Sequence, residues 1–381
     1  MTLASVAESK GIRVRVAWIY RWRQEWARRP VDLVNPGSGQ PLMRGDSDMR
    51  PNKFSLDLET LIVTLESPSL LDSIHFFQPF TTFTMSQVPP PGIYPPLVVY
   101  FNEDETVDYD SLLKHVDHVV KGGVTGLVLQ GSNGEAVHLM HDERREIVSR
   151  VRQHLTEIDH PELPLIVGCG AFSVRETLAH IQEAKEAGAD YALVLAPAYW
   201  VPLMSPAGLV SFFGEVADAS PLPILIYNYP DVTGGINISS DTMIELGKKH
   251  RNIVGAKLTC GDVGKLNRVQ SSFAPGEFAG FGGKSDFLLP ALVIGAHGAI
   301  VGSANVWPVL HATIAEYFKQ GKLAEAQQLQ TKLSHADDAL MRIGAVGVKA
   351  TMSHYFGCGT GRGRRPFGSA SCCGRCSPNP K

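Results

Sequence analysis

The chain has 381 residues, 44% hydrophobic and 19% charged, which is apolar material for one large domain with extras or for two. Its net charge of −3 excludes the strongly basic character expected of a nucleic-acid or anionic-membrane binder. No apolar run reaches the roughly 18 residues of a membrane span.

Residues 1–84 differ from the rest. The first 30 hold seven Lys/Arg against two Glu, and Trp18, Trp22 and Trp26 recur at a four-residue spacing, predicting one helical stripe among arginines. A mitochondrial transit segment, a partner- or membrane-surface helix, and an extension upstream of the true start all fit this composition. Met85 favours the last, because "MSQVPPPGIYPPLVVYF" runs from a methionine through prolines into a first strand. No secretory signal is expected, since no apolar segment is followed by a small-residue cleavage site. The compartment expected is the cytoplasm, or the mitochondrion if the extension is a transit segment.

From residue 93 onward, short apolar runs alternate with longer helical patterns. The strand-like runs are 93–101, 126–131, 164–170, 191–197, 223–230, 253–259, 278–283 and 298–305. Helices are predicted after them over 108–121, 141–157, 173–187, 205–218, 239–249, 262–271, 285–295 and 307–320. Continuous apolar strands separated by 3.6-period segments mean βαβ units and a buried parallel sheet. Eight units predict an α/β fold, a (β/α)8 TIM barrel over 85–321, with additional C-terminal helices at 322–342 and 346–356 inside a 322–357 segment. A doubly wound open sheet is the second choice. Residues 358–381 are rich in Gly, Arg, Cys and Pro and almost free of large apolar side chains, which predicts a disordered tail. Four of the six cysteines crowd there, so they form no disulfide framework, and a reducing compartment is expected. Cys373-x-x-Cys376 is a weak metal or redox signal, and a frame-shifted or unspliced end accounts for the segment better.

A barrel gathers its chemistry at the C-terminal strand ends. After strand 2 stands "GSNGE", Gly131 to Glu135, two glycines around short polar residues. This is either a plain turn or a cradle of amide N–H groups for an anion. Tyr199 and Trp200 follow strand 4, and Tyr227 to Pro230 end strand 5. Strand 6, "IVGAKLT", carries Lys257 in an apolar run. A lysine there either pairs with a carboxylate inside the barrel or serves as a desolvated, nucleophilic amine. Such an amine condenses with a ketone to a Schiff base, an electron sink that permits carbon–carbon cleavage without a metal. Tyr227, one strand away, is either an ordinary strand aromatic or the proton shuttle this chemistry needs. "GFGGKS" at 280–285 fails the phosphate-loop pattern because Phe278 replaces its first glycine, and "GCGAFS" at 168–173 fails the dinucleotide pattern at Ser173. The close histidine pairs are His115/His118, which reads as a solvated helix face, and His138/His141; neither predicts a metal site.

Together, "GSNGE", "YNYPDVTG" and "IVGAKLT", in that order, make residues 85–357 resemble the dihydrodipicolinate synthase / N-acetylneuraminate lyase family of class I aldolases. The resemblance implies that Lys257 is the Schiff-base lysine and Tyr227 the proton-relay tyrosine. It implies that Ser132 and Asn133, with Gly134 in the same turn, hold the keto-acid carboxylate, the Ser132 hydroxyl also serving in the relay. Tyr199 matches a tyrosine that in the synthases reaches a neighbouring subunit's site. No cofactor is implied, the partner is a small 2-oxo acid, and members are commonly homotetramers built as dimers of dimers. Synthases usually carry an arginine two residues after the proline of Y-N-x-P; Val232 stands there and cannot grip a carboxylate. The likeness is closer to the 4-hydroxy-2-oxoglutarate aldolase branch, which implies release of pyruvate or glyoxylate from a hydroxylated 2-oxo acid. Synthase or 2-keto-3-deoxy sugar acid aldolase activity are the alternatives within the family, and an inactive binding or regulatory barrel the alternative outside it.

Overall fold

The computed structural model describes residues 88–367 in full and the backbone of Arg15–Ala17 and Ile62–Thr64. The chain divides into two units, Met1–Phe83 and Thr84–Lys381. In the first, Arg15–Ala17 and Ile62–Thr64 pair antiparallel. The stripe of Trp18, Trp22 and Trp26 lies outside the described residues, as does Cys373-x-x-Cys376.

In the second unit the apolar runs form eight parallel strands: β1 Gly92–Tyr94, β2 Leu127–Leu129, β3 Leu165–Gly168, β4 Tyr191–Leu195, β5 Ile224–Asn228, β6 Ile253–Leu258, β7 Ala279–Gly282 and β8 Gly298–Ile300. Each strand from β1 to β8 lies beside its sequence neighbour except β1 and β2, and β8 pairs with β1. The remaining gap closes through a parallel bridge between Pro96 and Val128, with Leu97 N donating to Val128 O at 2.8 Å and Val128 N to Pro95 O at 3.0 Å. The sheet is therefore a closed TIM barrel. β1 is shorter than its apolar run because Pro95 and Pro96 have no N–H to give a ladder.

The helices are α1 Tyr109–Lys121, α2 His141–Glu157, α3 Val174–Glu186, α4 Pro206–Ala219, α5 Ser240–Lys249, α6 Val263–Gln270, α7 Leu288–Val293 and α8 Pro308–Lys319, followed by α9 Leu323–Met341 and α10 Ala345–Phe356. Their starts are set locally. Asp108, Ser173, Ser205, Ser239 and Asp262 each accept a hydrogen bond from the amide three residues on, satisfying a donor that the first turn would leave orphaned. Inside the barrel, Tyr94, Val128, Ile166, Leu193, Leu225, Val254 and Phe281 belong to one buried cluster; a larger one lies between strands and helices. The barrel is thus filled, and only its ends can hold chemistry.

Two expectations are corrected. His115 is fully buried, its Nδ1 3.1 Å from Tyr100 Oη, rather than on a solvated face. It shares the inward stripe of Leu112, Val116 and Val119, and burial pushes its imidazole down to about 3. The second correction concerns the tail. Residues 358–367 are not disordered: Cys358 is buried, Gly359 N donates to Ser111 Oγ at 2.8 Å, and the Arg364 guanidinium pairs with Glu143. Ion pairs and hydrogen bonds hold this segment where apolar burial is scarce. Residues 368–381 lie outside the described part.

Candidate active site

Lys257 is the next-to-last residue of β6, 3% exposed, level with Tyr227 on β5 and Phe281 on β7. Its ammonium position lies 4.1 Å from the centroid of the Tyr227 ring. Among the described residues no carboxylate pairs with it, so the structural alternative, a buried ion pair, is not what this lysine forms. Desolvation is the cause that pushes its pKa down to about 7. About half the amines are then unprotonated at neutral pH, against roughly one in three thousand for an ordinary lysine.

Tyr227 is 4% exposed, and burial raises its phenol to about 12, the hydroxyls of Ser132 and Thr259 acting in the opposite direction. It is a phenol at neutral pH, able to lend a proton and take one back. Thr259 lies two residues after Lys257, so its side chain leaves the strand on the same, inward side. Its hydroxyl is buried without a well-formed hydrogen bond among the described residues, and a Cβ on Gly283 would come within 2.2 Å of it. Thr259 was not singled out from sequence, although its spacing from Lys257 is signal enough to find it.

The turn after β2 is built tightly. Gln130 and Glu135, at its two ends, both adopt the left-handed region, with φ of 55° and 51°. Each such residue costs about 1–2 kcal/mol unless its surroundings impose it. Gln130 is fixed by its Nε2 donating to Arg144 O at 2.6 Å. Within the turn Gly134 N donates to Gly131 O at 3.0 Å and Glu135 N to Ser132 O at 3.2 Å. A Cβ on Gly134 would sit 3.1 Å from Leu97 O, which accounts for glycine there. Ser132 and Asn133 are half-buried at the tip, and their amides have no acceptor among the described residues. The Ser132 hydroxyl thus meets Tyr227, and an amine, a phenol, two hydroxyls and a turn whose amides at Ser132 and Asn133 have no acceptor among the described residues share the C-terminal mouth of the barrel.

Tyr199 is not part of this group. It is 69% exposed, its ring 5.9 Å from Phe172 and 5.0 Å from Trp200 in edge-on contacts. Val232 is half-exposed on the turn Pro230–Val232 after β5. Ser285 of the "GGKS" stretch is turned into the protein, its Oγ 2.6 Å from Ser303 Oγ and 2.9 Å from His311 Nε2, which makes it a packing element. Among the described residues His141, His180 and Glu183 bring ligand atoms within 4.8 Å of one another. They lie on α2 and α3, outside the barrel, where His141 Nδ1 is 3.0 Å from both Glu183 oxygens. Burial and the Arg144 charge push His180 down to about 4, and that same charge opposes a cation. A hollow of about 830 Å³, lined by Val88, Asp190, Tyr191, Lys248 and Phe273, opens at the N-terminal ends of the strands, away from Lys257.

Residues 89–375 match the model of the "Dihydrodipicolinate synthetase family". The chain belongs to that family. It is 45% identical over 276 residues to "Probable 4-hydroxy-2-oxoglutarate aldolase, mitochondrial" of Emericella nidulans, covering 72% of this chain and 88% of the relative. It is 40% identical over 286 residues to the "L-threo-3-deoxy-hexylosonate aldolase" of Hypocrea jecorina, covering 73% and 90%. Among solved structures, a dihydrodipicolinate synthase family protein from Coccidioides immitis superposes with a TM-score of 0.66 at 36% identity, covering 75% of this chain and 92% of that one. The branch expected from "GGKSDFLLPAL" at 282–292 and "GSNGEAVHL" at 131–139 is the one these relatives represent, and the protein is a carbon–carbon lyase of the aldolase type.

Proposed function

We propose that this protein cleaves a hydroxylated 2-oxo acid of the 4-hydroxy-2-oxoglutarate or 2-keto-3-deoxy sugar acid type, through a Schiff base on Lys257. The observation that carries this reading is a lysine without a counter-ion among the described residues, desolvated in an apolar barrel and set against a buried tyrosine. The substrate carboxylate docks on the amides and side chains of Ser132 and Asn133. The neutral Lys257 amine attacks the C2 ketone to give a carbinolamine. Its hydroxyl leaves as water with the proton of Tyr227, and the iminium and a tyrosinate remain. The tyrosinate takes the proton of the C4 hydroxyl, the C3–C4 bond breaks, and the electron pair enters the imine as an enamine while the aldehyde departs. Protonation at C3 and hydrolysis release pyruvate and the free amine; 4-hydroxy-2-oxoglutarate would give glyoxylate as the second product. Val232, in place of a carboxylate-gripping arginine, weighs against synthase activity.

The exposed Phe172, Tyr199, Trp200 and Leu203 form an aromatic and apolar face that supports a homo-oligomer, with Tyr199 reaching the partner's site as the family likeness implies. The name of the Emericella relative supports a mitochondrial location, and the arginine-rich first 30 residues suit a transit segment. The catalytic body runs from Met85 through the 358–367 segment. The test is borohydride reduction in the presence of pyruvate, with peptide mapping, beside an aldol-cleavage screen that reads pyruvate. Covalent modification of Lys257 and pyruvate release from one of the two substrate types are expected. An unmodified Lys257, or a fully active Lys257→Ala protein, sinks the mechanism.

A further inference from the structure

The turn that carries Ser132 and Asn133 ends in a carboxylate the mechanism does not use. Glu135 is 2% exposed, and its side chain is wholly buried. Its oxygens accept from Lys349 Nζ of α10, from the backbone amide of Arg364 at 2.9 Å and from His138 Nδ1 at 3.0 Å. Gly363 passes so close that a Cβ there would sit 3.3 Å from the carboxylate. Lys349 is fully buried too, its ammonium 4.5 Å from the Phe101 ring centroid, with Arg362 O 3.4 Å away as its other acceptor. The Arg364 side chain leaves this cluster for Glu143, His138 O and Glu105 O while its guanidinium covers the same Phe101 ring at 4.4 Å. Glu135 and Lys349 therefore neutralise each other, and Arg364 is neutralised by Glu143.

Two features tie this cluster to the site. Glu135 holds a left-handed backbone conformation that strains any residue with a Cβ, and its buried carboxylate is the anchor available to impose it. It also stands two residues from Asn133, where an anionic substrate docks under the reading above. An uncompensated carboxylate there would repel that substrate as well as loosen the turn.

We infer that Glu135 is a positioning residue whose clamp by Lys349 and the 363–364 backbone fixes the Ser132–Asn133 turn in its carboxylate-binding shape and keeps it free of net negative charge. The C-terminal helix and the segment after it are then part of the substrate site, although neither touches the substrate. The inference rests on the aldolase reading, and its test separates the two. Glu135→Gln, Lys349→Met, their double variant and Arg364→Gln are made in the full chain and assayed by pyruvate release, with the active fraction counted by borohydride trapping at saturating pyruvate. Lys349→Met is expected to raise KM about tenfold or more at a kcat, per trapped site, within about threefold of wild type, because it removes binding shared by ground and transition states. The double variant, which restores neutrality, is expected to recover part of that KM. Arg364→Gln, half-buried and outside the pair, moves KM in the same direction by about threefold and keeps the test alive if Lys349→Met does not fold. A folded Lys349→Met or Arg364→Gln protein with wild-type KM and a lower trapped fraction would overturn the inference in favour of a purely structural clamp. If wild type itself traps no pyruvate, the aldolase reading fails first.

Discussion

Replacing Lys257 by methionine should abolish activity and stabilise the protein. The side chain keeps its length and loses its charge. In the folded state the lysine titrates at about 7 because burial disfavours the ammonium, whereas in the unfolded chain it titrates near 10.5. Between these values the unfolded state holds a proton that the folded state does not, so stability falls as pH falls through that window. The penalty is complete below about pH 7 and vanishes above the unfolded value. At about 1.4 kcal/mol per pH unit it approaches 5 kcal/mol at neutral pH, as an upper figure, since water entering the mouth of the barrel would relieve part of it. Because no carboxylate among the described residues is left behind, only the lost contact of the ammonium with the Tyr227 ring offsets the gain from deleting the charge. Denaturant unfolding of wild type and Lys257→Met at pH 7 and near pH 10 measures it. The variant should be more stable by about 2–5 kcal/mol at pH 7, and the difference should close as pH rises. A variant equal to or weaker than wild type at pH 7, or a gap that does not change with pH, refutes the reasoning that Lys257 is a desolvated, unpaired amine.

Catalysis should track the same titration. The ammonium cannot attack a ketone, so kcat/KM should fall tenfold per pH unit below about 7, and an acid limb beginning below pH 5 would assign the nucleophile elsewhere. Tyr227→Phe removes the proton relay while keeping the ring against Lys257, so kcat should drop by about 10²–10⁴ with KM changed little, and steady-state kinetics showing a smaller loss than tenfold would pass the relay to Thr259 or Ser132.

The eight strands were legible because each is buried on both faces and therefore reads as an uninterrupted apolar run, and because five of the eight barrel helices open on a Ser or Asp cap. Lys257 stood out for the same reason, as one charge in a run that should hold none. What local pattern could not give was the role of partners distant in sequence. Glu135 lay in the motif, yet its significance depends on Lys349, 214 residues away. His115 carried a readable signal: it falls in the stripe Leu112, His115, Val116, Val119, and a histidine in an apolar stripe is more consistent with the core than with solvent.

The segment after α10 shows where composition misleads. Scarcity of apolar residues predicts disorder on the assumption that hydrophobic burial must offset the entropy of ordering the chain. Residues 358–367 are ordered by a different device. The Arg364 guanidinium takes both oxygens of Glu143 and two backbone carbonyls, Arg365 pairs with Glu105, and amides of the segment find Ser111 and Glu135. The half-buried Arg364–Glu143 fork excludes enough water for charge-assisted hydrogen bonds to count, where an exposed pair would contribute little. Its basic side chains are thus spent on carboxylates of α2 and the loop before α1, and its backbone on the carboxylate of Glu135, which is why a stretch that looks like a solvated tail in one dimension packs against the barrel in three.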